Sequence, residues 1–255
     1  MKLELKGLKI TWVGFLLSII GAVISATGVQ GNVGSVDNTT SAGAVISVIV
    51  SLVSVIMIIV GLTMVKKVSD HFRKARNYEI VQIIVAIVFV GLVMGLAAGK
   101  LINGAASGLT TGIVVISVIM IVILAIFSIL FYKHLLKGCE DTALYAKSES
   151  LAERFRKLWK LFIVGFVIAI AGAIVMLIGL GVAVNRILTS LENALEVSNA
   201  MMRGALPGGI VLIVGAIIML VFTILLLIRM AKLCTFDGEI FETDIKGNID
   251  NAENI

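Results

Sequence analysis

Uncharged apolar stretches alternate with short charged segments along the whole chain. Six stretches contain no Asp, Glu, Lys, Arg or His. Without its polar flanks, each leaves about 20 apolar residues, the length that an α-helix needs to cross about 30 Å of hydrocarbon. The period-two alternation of a membrane β-barrel is absent. The pattern predicts six membrane helices, at about 9–30, 43–65, 79–100, 110–132, 160–185 and 208–229.

Composition supports a membrane protein. Of the 255 residues, 59% are hydrophobic and 15% are charged, whereas a soluble globular domain carries about 25% charged residues. The sequence therefore predicts an all-α polytopic membrane protein whose first partner is the lipid bilayer. Its membrane domain is expected to cover residues 1–238, and an acidic cytoplasmic tail residues 239–255.

Lysine and arginine are distributed unevenly between the two sides of the predicted bundle. The side with both termini and the connections 66–79 and 133–160 holds 18 of the 21 Lys and Arg residues. Short connections rich in these residues stay in the cytoplasm, so we expect both termini inside a cell (plasma) membrane. The start of the chain is expected to be a retained first helix, because its apolar run exceeds the roughly 7–15 residues of a signal peptide. The net charge of +5 then reflects topology, and no nucleic-acid partner is expected.

An internal repeat divides the chain into similar parts. The segment VGFLLSIIGA (Val13–Ala22) aligns without gaps on VGFVIAIAGA (Val164–Ala173). The charged segments HFRKARNYEIV and RFRKLWKLFIV, which precede the third and fifth predicted helices, also resemble each other. We infer three helical hairpins of the same orientation, in contrast to the inverted repeats of many transporters.

Glycines recur every four residues in the stretch GLVMGLAAGKLINGAASGLTTG (91–112). A phosphate-binding loop of the form G-x-x-x-x-G-K-[ST] is excluded, because the spacing before Lys100 is one residue short and Leu101 follows it. Residues four apart lie on one helix face, which predicts close helix packing; a flexible outer mouth is the alternative. With the repeated segments, the predicted packing glycines are Gly14, Gly21, Gly91, Gly95, Gly99, Gly104, Gly108, Gly112, Gly165 and Gly172.

Two stretches resemble a known family. They are GLTMVKKVSDHFRKARNYEIV and SLAERFRKLWKLFIVGFVIAIAGAIVMLIGLG, and they look like the archaeal predicted-membrane-protein family called domain of unknown function 996. The resemblance covers residues 60–185, and the sequence departs from the family pattern at Val68 and in the glycine-rich outer turn. It implies an archaeal origin. Because the family has no assigned activity, the resemblance implies no site residues.

Catalytic and metal-binding patterns are missing from the sequence. The cores of the predicted helices carry no ionisable residue of the kind that marks ion or proton pathways. His71 and His134 belong to the same side, so they are not expected to hold a haem between helices. Cys139 and Cys234 lack the C-x-x-C spacing of a metal site. We therefore expect no catalytic residue, metal or cofactor, and no enzyme activity.

A charged amphipathic segment precedes the fifth predicted helix. In SESLAERFRKLWKLF (148–162), apolar residues follow helical spacing, and Ser150 with Glu153 fits a capping box. Basic side chains next to an interfacial tryptophan are typical of a helix that rests on anionic lipid headgroups. The predicted headgroup residues are Arg154, Arg156, Lys157, Trp159 and Lys160.

Two classes of function are compatible with these features. The first is a non-catalytic structural or accessory subunit that packs against other membrane proteins or a second copy, and the missing intramembrane charges favour it. The alternative is a channel or facilitator for a small or apolar solute. That function would require a continuous cavity along Ser47, Ser51 and Ser54, whose hydroxyls are otherwise expected to hydrogen-bond between helices.

Overall fold

The computed structural model describes residues 5–30, 39–103, 109–190 and 194–236, and all regular structure within these ranges is helical. Each helix contains a segment that is long and apolar enough to cross a membrane. Large apolar side chains are exposed on every one of them, which indicates contact with a lipid bilayer and a multi-pass membrane protein. The helices are α1 (Lys6–Gln30), α2 (Thr39–Val65), α3 (Asp70–Asn103), α4 (Leu109–Tyr145), α5 (Glu149–Ser190) and α6 (Ala194–Cys234).

The helices extend well beyond the predicted apolar spans. Residues 66–79 and 133–160, which the charge pattern predicts to be connections, are mostly helical, and residues 149–160 lie in the helix predicted for segment 148–162 from its apolar spacing. Only the short turns between Val65 and Asp70 and between Tyr145 and Glu149 separate the helices there. The charge pattern alone misleads because an amphipathic segment with apolar residues at helical spacing continues a helix out of the membrane as readily as it forms a loop.

Ser69 closes the turn between α2 and α3. Its hydroxyl accepts a hydrogen bond from the backbone N–H of His71 at 3.2 Å, so Ser69 is the N-cap of α3. The same hydroxyl donates to Oδ2 of Asp141 at 2.8 Å. One serine therefore caps α3 and attaches its start to the charged end of α4.

The turn between α4 and α5 is a Schellman motif. The N–H of Ser148 donates to the carbonyl of Ala143 at 2.9 Å, and the N–H of Lys147 donates to that of Leu144 at 2.8 Å. Lys147 has a φ of 55°, at a position where glycine is usual. The carbonyl of Ser148 then accepts the first bonds of α5, from Leu151 and Ala152. Helix α5 thus starts at Ser148 as its N-cap, and the capping box predicted at Ser150 is not formed.

The structure contains two compact units. The first comprises residues 1–77, 133–157 and 224–255, and the second residues 78–132 and 158–223. In the described part of the first unit, α1 and α2 pack antiparallel: a Cβ at Gly14 would lie 3.0 Å from the carbonyl oxygen of Ser54, and one at Gly21 would lie 3.3 Å from Oγ of Ser51. Its most deeply buried side chains lie near the charged helix ends, and they include Leu8, Phe72, Leu135, Phe155, Met230 and Leu233.

The second unit contains an equally close antiparallel pair. A Cβ at Gly165 of α5 would lie 2.6 Å from Cγ2 of Ile218, and one at Gly172 would lie 2.7 Å from the Cα of Leu212, both on α6. Real Cβ atoms essentially never come this near to another heavy atom, so both positions require glycine unless the helices move apart. An aromatic cluster of Tyr132, Phe162, Phe166 and Phe222 fills the end of this unit.

Candidate functional site

The predicted headgroup residues of α5 have different surroundings. Arg156 donates to Oε1 of Glu140 from Nε at 3.2 Å and from Nη2 at 2.6 Å. Lys157 forms an ion pair with Glu153 at 2.8 Å, one turn earlier on the same helix. The rings of Trp159 and Phe162 stack with their centres 5.7 Å apart. Lys160 is exposed and forms no ion pair in the described ranges, and Arg154 lines a cavity.

Glu140 is the buried member of this charged group. Its side chain is only 6% exposed, and Lys137 contributes a second cation at 3.3 Å from the carboxylate. A buried carboxylate without partners would cost several kcal/mol, so the two cations make its burial possible. Arg156 is therefore engaged in the folding of the charged helix ends, and the sequence did not indicate this because the pair depends on the geometry of the α4–α5 turn.

The two histidines meet, although they are 63 positions apart in the sequence. Their Nδ1 atoms are 2.9 Å apart, their ring centres 5.2 Å apart, and their planes differ by 25°. Each nitrogen lies one ring radius from the centre of its own ring. The ring centres are farther apart than the nitrogens by about two such radii. The two nitrogens therefore point at each other along the line between the rings, in an N–H···N hydrogen bond.

This geometry leaves no room for a metal ion between the rings. A zinc ion on that line would require two bonds of about 2.0–2.1 Å, whereas the nitrogens are 2.9 Å apart. Asp141 lies on the other side of His71, with Oδ2 at 4.0 Å from Nε2. Among the described residues, no group of three or more His, Cys, Asp or Glu side chains is placed to hold a metal. The histidine pair therefore links the start of α3 to the charged end of α4 through a hydrogen bond.

The cysteines and serines singled out in the sequence have structural surroundings. Cys139 is buried and Cys234 is half-buried, and neither forms a disulfide. The hydroxyl of Ser54 donates to the carbonyl of Gly14 at 2.8 Å, which links α2 to α1. Ser47 is buried, whereas Ser51 is exposed. Ser54 is therefore engaged in the packing of α2 against α1.

A further polar link was missed in the sequence analysis. Nε2 of Gln82 on α3 donates to Oγ of Ser128 on α4 at 3.0 Å. The only signal in the sequence was a lone glutamine in an apolar stretch, which finds a hydrogen-bond partner on a neighbouring helix when water is absent.

The predicted packing glycines fall into two groups. Gly14, Gly21, Gly165 and Gly172 lie against a neighbouring helix, as described above. A Cβ at Gly91 or Gly95 would meet no atom within 4 Å, so the close packing predicted for this face is not made by the described residues of the same chain. The surroundings of Gly99, Gly104, Gly108 and Gly112 lie outside the described residues, as does the tail at 239–255.

Comparison with protein-family models, curated proteins and solved structures found no significant match. The resemblance of residues 60–185 to the archaeal membrane-protein family therefore stays a prediction.

Proposed function

We propose that this protein is a non-catalytic membrane protein that acts as a structural or accessory subunit, and that α3 provides its contact with a membrane partner or a second copy. The observation that supports this proposal is the open glycine face of α3. Gly91 and Gly95 have no neighbouring atom within 4 Å of a Cβ, and none of the residues in the most apolar described part of α3 is buried.

An open glycine face is costly for a helix that meets only lipid. Glycine inside a helix is less favourable than alanine by about 0.5–1 kcal/mol, and lipid chains do not need a close approach to the backbone. In membrane proteins, small residues four apart allow the backbone of a second helix to come near, and the dispersion attraction between the two closely packed helices drives association. A partner helix on α3 would make use of the space that the chain itself leaves open.

The neighbouring side chains are suited to such a contact. Ile84, Ile87, Val88, Leu92 and Met94 are exposed and apolar. Apolar side chains around a glycine groove provide the walls into which a partner helix can pack. The same residues are compatible with lipid, so the glycine groove is the feature that distinguishes a partner from lipid.

The test compares Gly95→Leu with Val93→Leu. Position 93 lies on the opposite side of α3, because two residues turn a helix by about 200°. The full chain is purified in mild detergent from its native membranes, and its mass and co-migrating chains are determined by light scattering and mass spectrometry. We expect Gly95→Leu to lose a partner or second copy that the wild type and Val93→Leu retain. The same assembly in both variants would contradict the proposal.

For the topology, we propose three hairpins of the same orientation in the cell membrane, with both termini in the cytoplasm. The 18 Lys and Arg residues on one side support it. The test places a cysteine at Glu149 or at Ser35 in a chain whose two native cysteines are replaced by alanine. A membrane-impermeant thiol reagent should label position 35, and not position 149, in intact cells. The reverse labelling would contradict the orientation.

A further inference from the structure

A cavity of about 260 Å³ lies between the start of α5 and the end of α6, in the first unit. Two basic side chains, Arg154 and Lys232, contribute to its lining. Cavities that hold drug-sized ligands measure about 300–1,000 Å³. This one is slightly smaller than that range, and its size suits a single charged group with a small attachment.

The two cations of the cavity have no anionic partner among the residues that the structure describes. Neither Arg154 nor Lys232 forms an ion pair in these ranges. The acidic side chain next to Arg154 in the charged segment, Glu153, is engaged with Lys157. Arg229 adds a third positive charge nearby, because its guanidinium donates to the backbone carbonyl of Arg154. The described residues therefore leave the positive charge of the cavity uncompensated, in contrast to Arg156, which is paired with Glu140.

Hydrogen-bond donors surround the same space. Ser148, the N-cap of α5, and Ser150, in its first turn, line it. Thr235 also lines it, but its hydroxyl donates to the carbonyl of Lys232 at 2.7 Å. Two serine hydroxyls and two cations thus remain available to an anion with several oxygen atoms.

We propose that this cavity binds a phosphate group. Arg154 and Lys232 would neutralise its charge, and Ser148 and Ser150 would donate to its oxygens. A planar guanidinium is well matched to the oxygens of a phosphate. Leu151 and Phe236, the remaining lining residues, would contact an apolar attachment to the phosphate. The phosphate can belong to a phospholipid headgroup or to a soluble phosphate, and this proposal does not depend on the role of α3.

The experiment measures the melting temperature of the full chain in a neutral detergent with each source of phosphate. Phosphatidylglycerol is compared with a diacylglycerol, which has no phosphate, and inorganic phosphate with chloride at equal ionic strength. The cavity variant is Arg154→Gln with Lys232→Gln. The control variant, Lys66→Gln with Lys67→Gln, removes the same charge from exposed positions outside the cavity.

We expect saturating ligand to raise the melting temperature of the wild type and the control by roughly 5 °C or more, and to leave the cavity variant unchanged. A rise with phosphatidylglycerol alone identifies a lipid headgroup, and a rise with inorganic phosphate as well identifies a soluble phosphate. No rise in the wild type with either probe, or an equal rise in the cavity variant, overturns the proposal. The single variant Lys232→Gln, at an exposed helix end, should show a reduced rise and guards against misfolding of the double variant.

Discussion

The glycines of α5 and those of α3 belong to the same unit but have opposite surroundings. At Gly165 and Gly172, the backbone or side chains of α6 occupy the place of a Cβ. At Gly91 and Gly95, no atom lies within 4 Å of the position that a Cβ would take. Both helices are apolar and rich in glycine, so glycine content does not decide which helix face is closed within the chain. The spacing of the glycines differs, and this difference is informative.

Glycines at a spacing of seven stay on the helix face that contacts an antiparallel neighbouring helix. Glycines at a spacing of four rotate around the helix axis and leave that contact face. Seven residues fall about 20° short of two full helical turns, and a small crossing angle corrects this shift. Four residues overshoot one turn by about 40°, so the two steps from Gly91 to Gly99 fit a neighbouring helix that crosses at a larger angle, about −40° in membrane pairs of this kind. The glycines that have close neighbours and are seven apart are Gly7, Gly14 and Gly21 on α1, Gly165, Gly172 and Gly179 on α5, and Gly208 and Gly215 on α6.

The largest expected effect is at the contact between α5 and α6. Gly172→Leu places a side chain where the backbone of α6 lies, with the Cα of Leu212 at 2.7 Å from the new Cβ. Overpacking typically costs about 1–3 kcal/mol, and we expect a loss of about 3 kcal/mol because the obstacle is backbone. The melting temperature in detergent measures it. Gly95→Leu is the matched control, and an equal loss in that variant would remove the distinction between the two faces.

The second expected effect concerns the start of α3. Side chains are buried against neighbouring helices there, whereas the glycine face in the apolar part of α3 has no close neighbour. Phe72 and Ala75 are buried there, and His71 shares a hydrogen bond with His134. Between about pH 8 and pH 5 a histidine gains its charge. Burial is the main cause that lowers the pKa of His134 in the folded protein, followed by the neighbouring His71, Lys74 and Lys133. Because the unfolded state binds more protons in acid, stability falls as the pH falls.

We expect the pair to contribute about 1 kcal/mol at neutral pH, the typical value of one hydrogen bond, and to lose it near pH 5. Asp141 is the acidic group that faces His71, and Lys74 and Lys133 oppose a proton on His134. The measurement is the melting temperature at pH 7 and pH 5. His134→Asn keeps an acceptor and removes one titrating ring, so its decline should be smaller. An identical decline in the two proteins would exclude the histidine pair as the cause.

The glycine faces of α5 and α3 show what the sequence could predict. The uncharged stretches indicated six membrane helices, and the repeat of Val13–Ala22 at Val164–Ala173 contained glycines at a spacing of seven. The four-residue spacing that starts at Gly91 predicted close packing, which the described residues of the chain do not make at Gly91 and Gly95. The ion pair of Arg156 with Glu140 was not predictable, because it depends on a turn in which Lys147 adopts a positive φ. Pairs such as His71 and His134 depend on helix register, which charge patterns do not specify.

A smaller effect is expected at the closed face between α1 and α2. Ser54→Ala removes the hydrogen bond from the Ser54 hydroxyl to the carbonyl of Gly14 and keeps the steric contact. Hydrogen bonds between membrane helices contribute about 0.6 kcal/mol on average, with a maximum of about 1.7 kcal/mol. We expect a loss in this range in detergent unfolding. Ser51→Ala, at an exposed position of the same helix, should change less, and the opposite order would show that the hydroxyl does not link the helices.

The smallest expected effect is at the open face, and its sign matters more than its size. Gly95→Ala adds a methyl group that meets no atom within 4 Å, and alanine favours the helix by up to about 1 kcal/mol on the scale for soluble proteins. The isolated chain should therefore be as stable as the wild type or slightly more stable. Gly172→Ala, in contrast, should be less stable, because even its Cβ lies too close to α6. Opposite signs for the same substitution would separate a helix face that is closed within the chain from one that is open to a partner. A loss of stability at Gly95→Ala in the isolated chain would show that α3 already packs against this chain.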